Sequence, residues 1–190
     1  METERLRVAV IVGSTREGRV GDVLAGWFAD QAGLRDDLDV RVIDLGGYDF
    51  PARYPRRASA AMRRFTGELA ASDAFVLVTP EYNRSFPASL KQAVDYGYDE
   101  WRAKPVGFVS YGSGSDGVFA VEQLRVVFTE LHAVTMRDVV GVDLLGPGVD
   151  ATGRPVGSDG QVLAAGRLLG ELSWWGRALR GARAAVPYVC

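Results

Sequence analysis

Thr79-Pro80-Glu81-Tyr82-Asn83-Arg84-Ser85-Phe86-Pro87-Ala88-Ser89-Leu90-Lys91-Gln92-Ala93-Val94-Asp95 is the stretch whose reading decides the fold. It follows an apolar run, Asp73-Ala74-Phe75-Val76-Leu77-Val78, that reads as a buried strand. Pro87 stands where a helix would begin, and Leu90, Ala93 and Val94 then recur at helical spacing. A loop of Pro, Glu, Tyr, Asn and Arg therefore joins the C-terminal end of a strand to the start of a helix. In open α/β sheets ligands bind at that edge. The backbone donors and planar side chains of this loop suit a flat heteroaromatic ligand.

The same alternation extends in both directions. Leu6 to Val12 is a near-continuous apolar run closed by Gly13, as a strand buried on both faces requires. Val20, Val23, Leu24, Trp27 and Phe28 follow at helical spacing, and Val40 to Leu45 reads as a second strand. Gly46 to Pro55 is irregular, and Ala58 to Ala70 forms a helix with Met62, Phe65 and Leu69 on one face. Lys104 to Tyr111 is a fourth strand, Gly117 to Leu131 a helix, and Ala133 to Met136 a short fifth strand. Asp143 to Asp159 reads as a long loop, and Gln161 to Ala184 as the last helix. This order predicts one α/β domain over residues 1–190: a flavodoxin-like three-layer sandwich, its five-stranded parallel sheet in the order 2-1-3-4-5 with helices on both faces. The loops after Val12 and Val78 then meet at the switch point between strands one and three.

Composition narrows the function classes. The 190 residues, 47% hydrophobic and 24% charged, are ordinary for a globular domain. A net charge of −2 gives no reason to expect nucleic acid. No apolar stretch is long enough to span a bilayer, and the polar start of the chain does not resemble a signal peptide, so a cytoplasmic location is expected. The one cysteine, Cys190, precludes an internal disulfide and reads as a frayed terminal thiol. No His, Cys and carboxylate cluster has transition-metal spacing. His132, the only histidine, has no nucleophile elbow to serve and reads as a packed or surface residue. Arg57, Arg63 and Arg64 read as a solvated face, and Lys91 with Asp95 as a helix-surface pair.

Three loops carry candidate chemistry. In Gly13-Ser14-Thr15-Arg16-Glu17-Gly18-Arg19-Val20-Gly21, a helix N-terminus, two hydroxyls and two forked cations suit a phosphate. The alternative is that Ser14 or Thr15 merely caps the helix. It is not a P-loop, because no Gly-Lys-Ser/Thr follows. The second loop also suits a turn with Asn83 in a left-handed conformation, and that turn and a ligand-binding role can hold at once. The third, Ser110-Tyr111-Gly112-Ser113-Gly114-Ser115-Asp116-Gly117, contains a G-x-G-x-x-G match. A dinucleotide fingerprint belongs to the first βαβ unit, however, and too few strands follow here, even though Asp138 stands about 20 residues on.

Taken together, the three loops resemble those of the NADPH-dependent FMN reductase family over roughly Val8 to Met136. The second loop resembles the family's T/S-P-E-Y-N-x-S-x-P-x-x-L-K sequence, and the first its G-S-x-R-x-x-S-x-N loop, with Arg19 and Gly21 replacing the second Ser and the Asn. The resemblance implies bound FMN, with Ser14, Arg16, Arg19 and Val20 at its phosphate. It implies Pro80, Glu81, Tyr82 and Asn83 along the isoalloxazine ring, and Ser110, Gly112 and Ser113 on its far side. Asp116 departs from the family's usual Gly, and Gly21 supplies no side-chain ligand. The implied activity is hydride transfer from NADPH or NADH to FMN and on to a small-molecule electron acceptor: a flavin, quinone, azo compound or metal oxyanion. No catalytic side chain is assigned. Arg84 is a candidate for a 2′-phosphate or a solvated loop residue. Tyr98 and Trp101 lie where family members place residues near a subunit interface, which implies a homodimer or homotetramer. Trp174 and Trp175 read as core or interface aromatics. The competing function is an FMN-binding electron carrier or sensor without significant NAD(P)H turnover; a domain that has lost its cofactor is disfavoured by the intact Ser14, Arg16 and Pro80–Asn83 segment.

Overall fold

Five parallel strands, β1 (Leu6–Val12), β2 (Leu38–Asp44), β3 (Ala74–Pro80), β4 (Pro105–Gly112) and β5 (Val134–Asp143), form one sheet in the order β2-β1-β3-β4-β5. They alternate with α1 (Gly21–Gly33), α2 (Ala60–Ala70), α3 (Ala88–Tyr96), α4 (Val118–Glu130) and α5 (Asp159–Ala185). The computed structural model describes residues 4–145, 149–151, 154–156 and 159–189. Cys190 and parts of the loop expected over Asp143 to Asp159 lie outside the described residues.

Strand parity builds two cores from one apolar run. Along β1, Leu6, Val8, Val10 and Val12 face α1 and α5, where they meet Leu24, Phe28, Leu168 and Leu172. Ala9 and Ile11 face α2, α3 and α4, and pack with Phe65, Leu90, Val94 and Phe128. β3 and β4 divide in the same way: Val76, Val78, Val109 and Tyr111 point to the α1 side, and Phe75, Leu77, Val106 and Phe108 to the other. Burial on both faces leaves little place for polar side chains, which is why these strands are apolar apart from Arg7 near the start of β1 and Thr79 and Ser110 near the ends of β3 and β4.

At the sheet edge opposite the ligand-binding edge, Asp73 anchors three arginines. Arg7 donates its backbone N–H to the carboxylate at 3.0 Å and its guanidinium at 3.2 Å, and Arg180 from α5 adds a bond at 3.3 Å. Arg183 completes the cluster at 3.9 Å. Burial alone would raise the Asp73 pKa, but the Arg7 bonds outweigh it and hold the carboxyl below its ordinary value. Beside them Lys104 donates to the Leu69 carbonyl at 2.9 Å, and burial lowers its pKa to about 8.

One element departs from the sequence reading. β5 does not stop at Met136 but runs to Asp143. Its apolar pattern breaks at Arg137-Asp138, where the register with β4 shifts. The two bulged N–H groups donate instead to Glu171 of α5, at 3.0 and 3.1 Å, so the strand survives the irregularity. Trp101 is fully buried in its own chain, stacked edge-on between Phe75 and Phe128, and its indole donates to the Val94 carbonyl at 3.1 Å. Tyr98 is exposed. Trp174 is exposed while Trp175 packs on the core, and His132 lies 3.0 Å from the Tyr188 hydroxyl. Lys91 and Asp95 form the expected surface pair at 2.7 Å.

Candidate functional site

The loops after β1, β3 and β4 converge because the backbone sews their strands together up to the last residue. The Gly13 N–H donates to the Val78 carbonyl at 2.9 Å, and the Ser89 hydroxyl to the Gly13 carbonyl at 2.9 Å. A side chain at position 13 would begin 3.2 Å from that same Val78 oxygen, so glycine permits the approach. The Glu81 N–H donates to the Tyr111 carbonyl and the Leu144 N–H to the Gly112 carbonyl, both at 2.9 Å, extending the register past the strand ends.

Between the loops lies a cleft of about 450 Å³, within the usual range for a small-molecule site. Arg16, Arg19 and Val20 line it from the first loop, Pro80, Glu81 and Tyr82 from the second, and Gly112 and Ser113 from the third. The remaining predicted residues do not form its walls. Ser14 is buried below, its hydroxyl 3.2 Å from the Tyr82 hydroxyl. Ser110 is also buried, and its hydroxyl donates to the Asp116 carbonyl at 2.7 Å, bracing the third loop. Asn83 is exposed at the tip of a two-residue turn. It and Arg84 have φ of 52° and 65°, and Tyr82 and Ser85 exchange backbone bonds at 2.7 and 3.0 Å. Positive φ at both central positions is what a type I′ hairpin turn requires, and Asn accepts it readily. The backbone thus adopts the left-handed turn expected at Asn83.

Three side chains in and around the cleft are spent on its frame. Glu81 accepts the Phe119 N–H at 3.1 Å and so caps α4, whose N-cap is Gly117 at φ 77° and has no side chain to offer. Arg84 sits with its guanidinium 3.9 Å from the Phe119 ring centre, a stacking contact that draws it to α4. Asp143, at the end of β5, accepts from Leu145 and Gly114 at 3.0 and 2.8 Å, and these bonds hold its carboxyl below the ordinary range while pinning the third loop. Asp116 adopts φ 51°, a backbone position that favours glycine.

The cleft is rich in donors at one end. Helix α1 begins there with no side-chain bond at its N-cap, Val20; in its first turn the Asp22 carboxylate accepts the Val23 N–H at 3.0 Å, and the Gly21 and Asp22 N–H groups remain to meet a ligand. Arg16 has no carboxylate partner among the described residues, whereas Arg19 pairs with Asp44 and leaves its Nε buried and unpartnered. Tyr111 adds a buried hydroxyl that meets no partner in good geometry among the described residues. Unspent donors at a helix N-terminus fit a phosphate. The walls from the second and third loops, Pro80 to Tyr82 against Gly112 and Ser113, leave room for a flat ring. The residues present therefore fit FMN. Among the described residues no group of three His, Cys or carboxylate side chains could hold a metal, and no helix is long and apolar enough to cross a membrane.

Sequence reasoning missed Tyr111, Glu17, Gly18 and Leu144 in the cleft walls. Strand parity could have found Tyr111, because it shares the α1-facing side of β4 with Val109. Leu144 follows the unforeseen end of β5, and no signal pointed to it.

Comparison with known proteins agrees with this geometry. Residues 6–144 match the model of a family described as NADPH-dependent FMN reductase. An NAD(P)H-dependent FMN reductase of Nectria sp is 35% identical over 120 residues, 56% of this chain, and the match spans only 60% of that protein's length. A quinone reductase of Pseudomonas putida is 34% identical over 143 residues, covering 68% of this chain and 74% of that one. Among solved structures, the flavoenzyme NAD(P)H:(acceptor) oxidoreductase FerB of Paracoccus denitrificans superposes with a TM-score of 0.76 at 23% identity, over 91% of this chain and 98% of the other. A flavodoxin from Streptococcus pneumonia aligns with a TM-score of 0.59 at 17% identity, over 88% and 98% of the two chains. At these identities the structures speak for the flavodoxin-like fold alone.

Proposed function

We propose, because the chain belongs to the NADPH-dependent FMN reductase family, that it holds FMN in the cleft at the β1–β3 switch point and works as an NAD(P)H oxidoreductase there. The chain is an FMN-dependent NAD(P)H oxidoreductase by its family and relatives. The observation that carries the placement is the pairing of an uncapped α1 N-terminus and unpaired Arg16 with a slot between Pro80–Tyr82 and Gly112–Ser113. Bound FMN supplies the redox chemistry, accepting hydride from NADPH or NADH and passing electrons to a second acceptor.

The chain's own residues position and exclude. Arg16 and the α1 N-terminus neutralise the phosphate and fix the cofactor's depth in the cleft. The Pro80 to Tyr82 segment, held to β4 by the Glu81–Tyr111 backbone bond, sets the plane of one wall. Arg19 and Val20 line the phosphate end of the cleft, and Ser14, Ser110 and Asn83 act in this reading as supports around it. Quinones and azo compounds are the acceptors we favour, since relatives carry the names quinone reductase and FMN-dependent NADPH-azoreductase. A homodimer or homotetramer belongs to the same reading, supported by an open groove between α3 and α4 in which Val126 is 73% exposed. A cytoplasmic location follows from the need for NAD(P)H.

The test is to incubate purified protein with excess FMN, remove free flavin, and record the visible spectrum and NADPH oxidation. One flavin per chain with turnover of a quinone or azo dye is the expected result. A colourless protein overturns the reading. Retained flavin without oxidation of NADPH or NADH by any acceptor returns the electron carrier in its place.

A further inference from the structure

We propose that Tyr111 is a phosphate ligand of the cofactor cleft, its phenolic hydroxyl donating to a phosphate oxygen of FMN; the inference rests on the FMN reading above. Tyr111 is the penultimate residue of β4 and projects to the α1 side of the sheet with Val109. Its side chain reaches the first residue of α1: a methyl group added at Gly21 would stand 2.7 Å from the Tyr111 hydroxyl and 3.4 Å from the ring carbon that bears it. The phenol thus lies beneath the first loop, at the positive end of a 13-residue helix that has no side-chain cap.

Tyr111 is only 4% exposed, and its hydroxyl, which lies near that of Ser14, meets no partner in good hydrogen-bonding geometry among the described residues. A buried hydroxyl left unpaired is destabilising, so such groups in native proteins ordinarily meet a ligand or water. The neighbours of this one decide which ligand. The Ser14 hydroxyl, also close by, is engaged with Tyr82, the Arg19 Nε is a second buried donor in need of an acceptor, and the helix end presents further N–H groups. Burial raises the phenol's pKa, so it stays protonated and donates. One carboxylate stands at this helix end, Asp22, and it is engaged with the Val23 N–H at 3.0 Å; the donors that remain call for a group made of acceptors with negative charge, which a phosphate monoester is and a flavin ring is not.

Glycine at position 21 is part of the same arrangement. Any Cβ there would push the phenol away from the helix end. The pair therefore exchanges a side chain on the helix for one delivered from the neighbouring strand.

The test compares FMN with riboflavin, which carries the same ring and ribityl chain but no phosphate, using flavin-free protein and quenching of flavin fluorescence. Wild type is expected to bind FMN more tightly than riboflavin. Tyr111→Phe, which removes only the hydroxyl, is expected to weaken FMN about tenfold, the size of a hydrogen bond to a charged group, and to leave riboflavin binding unchanged. Thermal melting of the flavin-free variant is expected to match or exceed wild type, because an unpaired polar atom has gone. Equal FMN affinity in wild type and variant overturns the proposal, as do equal losses for FMN and riboflavin. Wild type binding neither flavin overturns the FMN reading itself. Gly21→Ala gives an independent measurement: it is expected to weaken FMN in the wild-type background and to add no further loss in the Tyr111→Phe background. Losses that simply add overturn the coupling.

Discussion

The Ser14 hydroxyl lies 3.2 Å from the Tyr82 hydroxyl, a contact between residues 68 positions apart in sequence. Ser14 belongs to the loop after β1 and Tyr82 to the loop after β3, adjacent strands of opposite crossover direction. The contact closes the floor of the cleft at the point where the chain reverses its direction across the sheet, so the first and second loops are set as one unit. Ser14→Ala removes it and leaves the Tyr82 hydroxyl to solvent in the cleft. The expected cost is about 1 kcal/mol, or about 2–4 °C in melting temperature for a chain of this size, with weaker FMN binding. A variant with wild-type melting and wild-type flavin affinity would show that the two loops are set independently.

Arg16 and Arg19 are both candidates for the phosphate from their place in the first loop, Arg16 the better match to the family, and the fold separates them further. Arg16 is unpaired in the described structure, while Arg19 is tied to Asp44 at the end of β2. Arg16→Ala is expected to raise the FMN dissociation constant by about ten- to a hundredfold, from loss of a charge-assisted bond worth about 1.5–3 kcal/mol. Its flavin-free melting temperature should not move. Arg19→Ala should lower both. Titration and melting of the two variants check this, and an unchanged FMN affinity for Arg16→Ala would move the phosphate out of the first loop.

The Glu81 carboxylate caps α4 through the Phe119 N–H. Glu81→Ala should therefore act through the helix, costing about 1 kcal/mol as cap losses do, and Glu81→Gln, which keeps an acceptor, should recover most of it. Hydrogen exchange at the Phe119 amide reads the effect directly. Protection at that amide unaltered in Glu81→Ala would remove the cap from the account.

Asp73 carries a pH dependence of definite sign. Its pKa is lowered in the folded state from an unfolded value of about 3.9. The unfolded chain then binds more protons in the acid range, so the stabilisation is whole above about pH 4 and is lost as pH falls below it. Asp73→Asn should lose stability near neutrality and show a shallower acid limb than wild type in denaturant titrations. Parallel acid limbs would show that the Arg7, Arg180 and Arg183 cluster contributes no linkage.

Much of this molecule is legible along the chain. The runs Leu6–Val12 and Asp73–Val78, Pro87 at a helix start and the Gly-rich loops are local signals, since burial on both faces demands an unbroken apolar run and turns demand residues that tolerate them. From these came the five strands, their order and the three loops that build the cleft. What failed was decided at a distance. β5 continues through Arg137-Asp138 only because Glu171, more than 30 residues on, receives the bulged N–H groups. The burial of Trp101 was likewise decided at a distance, by Phe75 and Phe128, which enclose it. Tyr111 lay in a plain strand pattern and faces the α1 N-terminus because strand parity and the neighbouring Gly21 bring them together. Sequence by itself determined the sheet, its switch point and the loops that could bind. Tertiary structure alone decided which side chains are left with free donors, because a hydrogen-bond partner is a matter of distance in space and not of spacing along the chain.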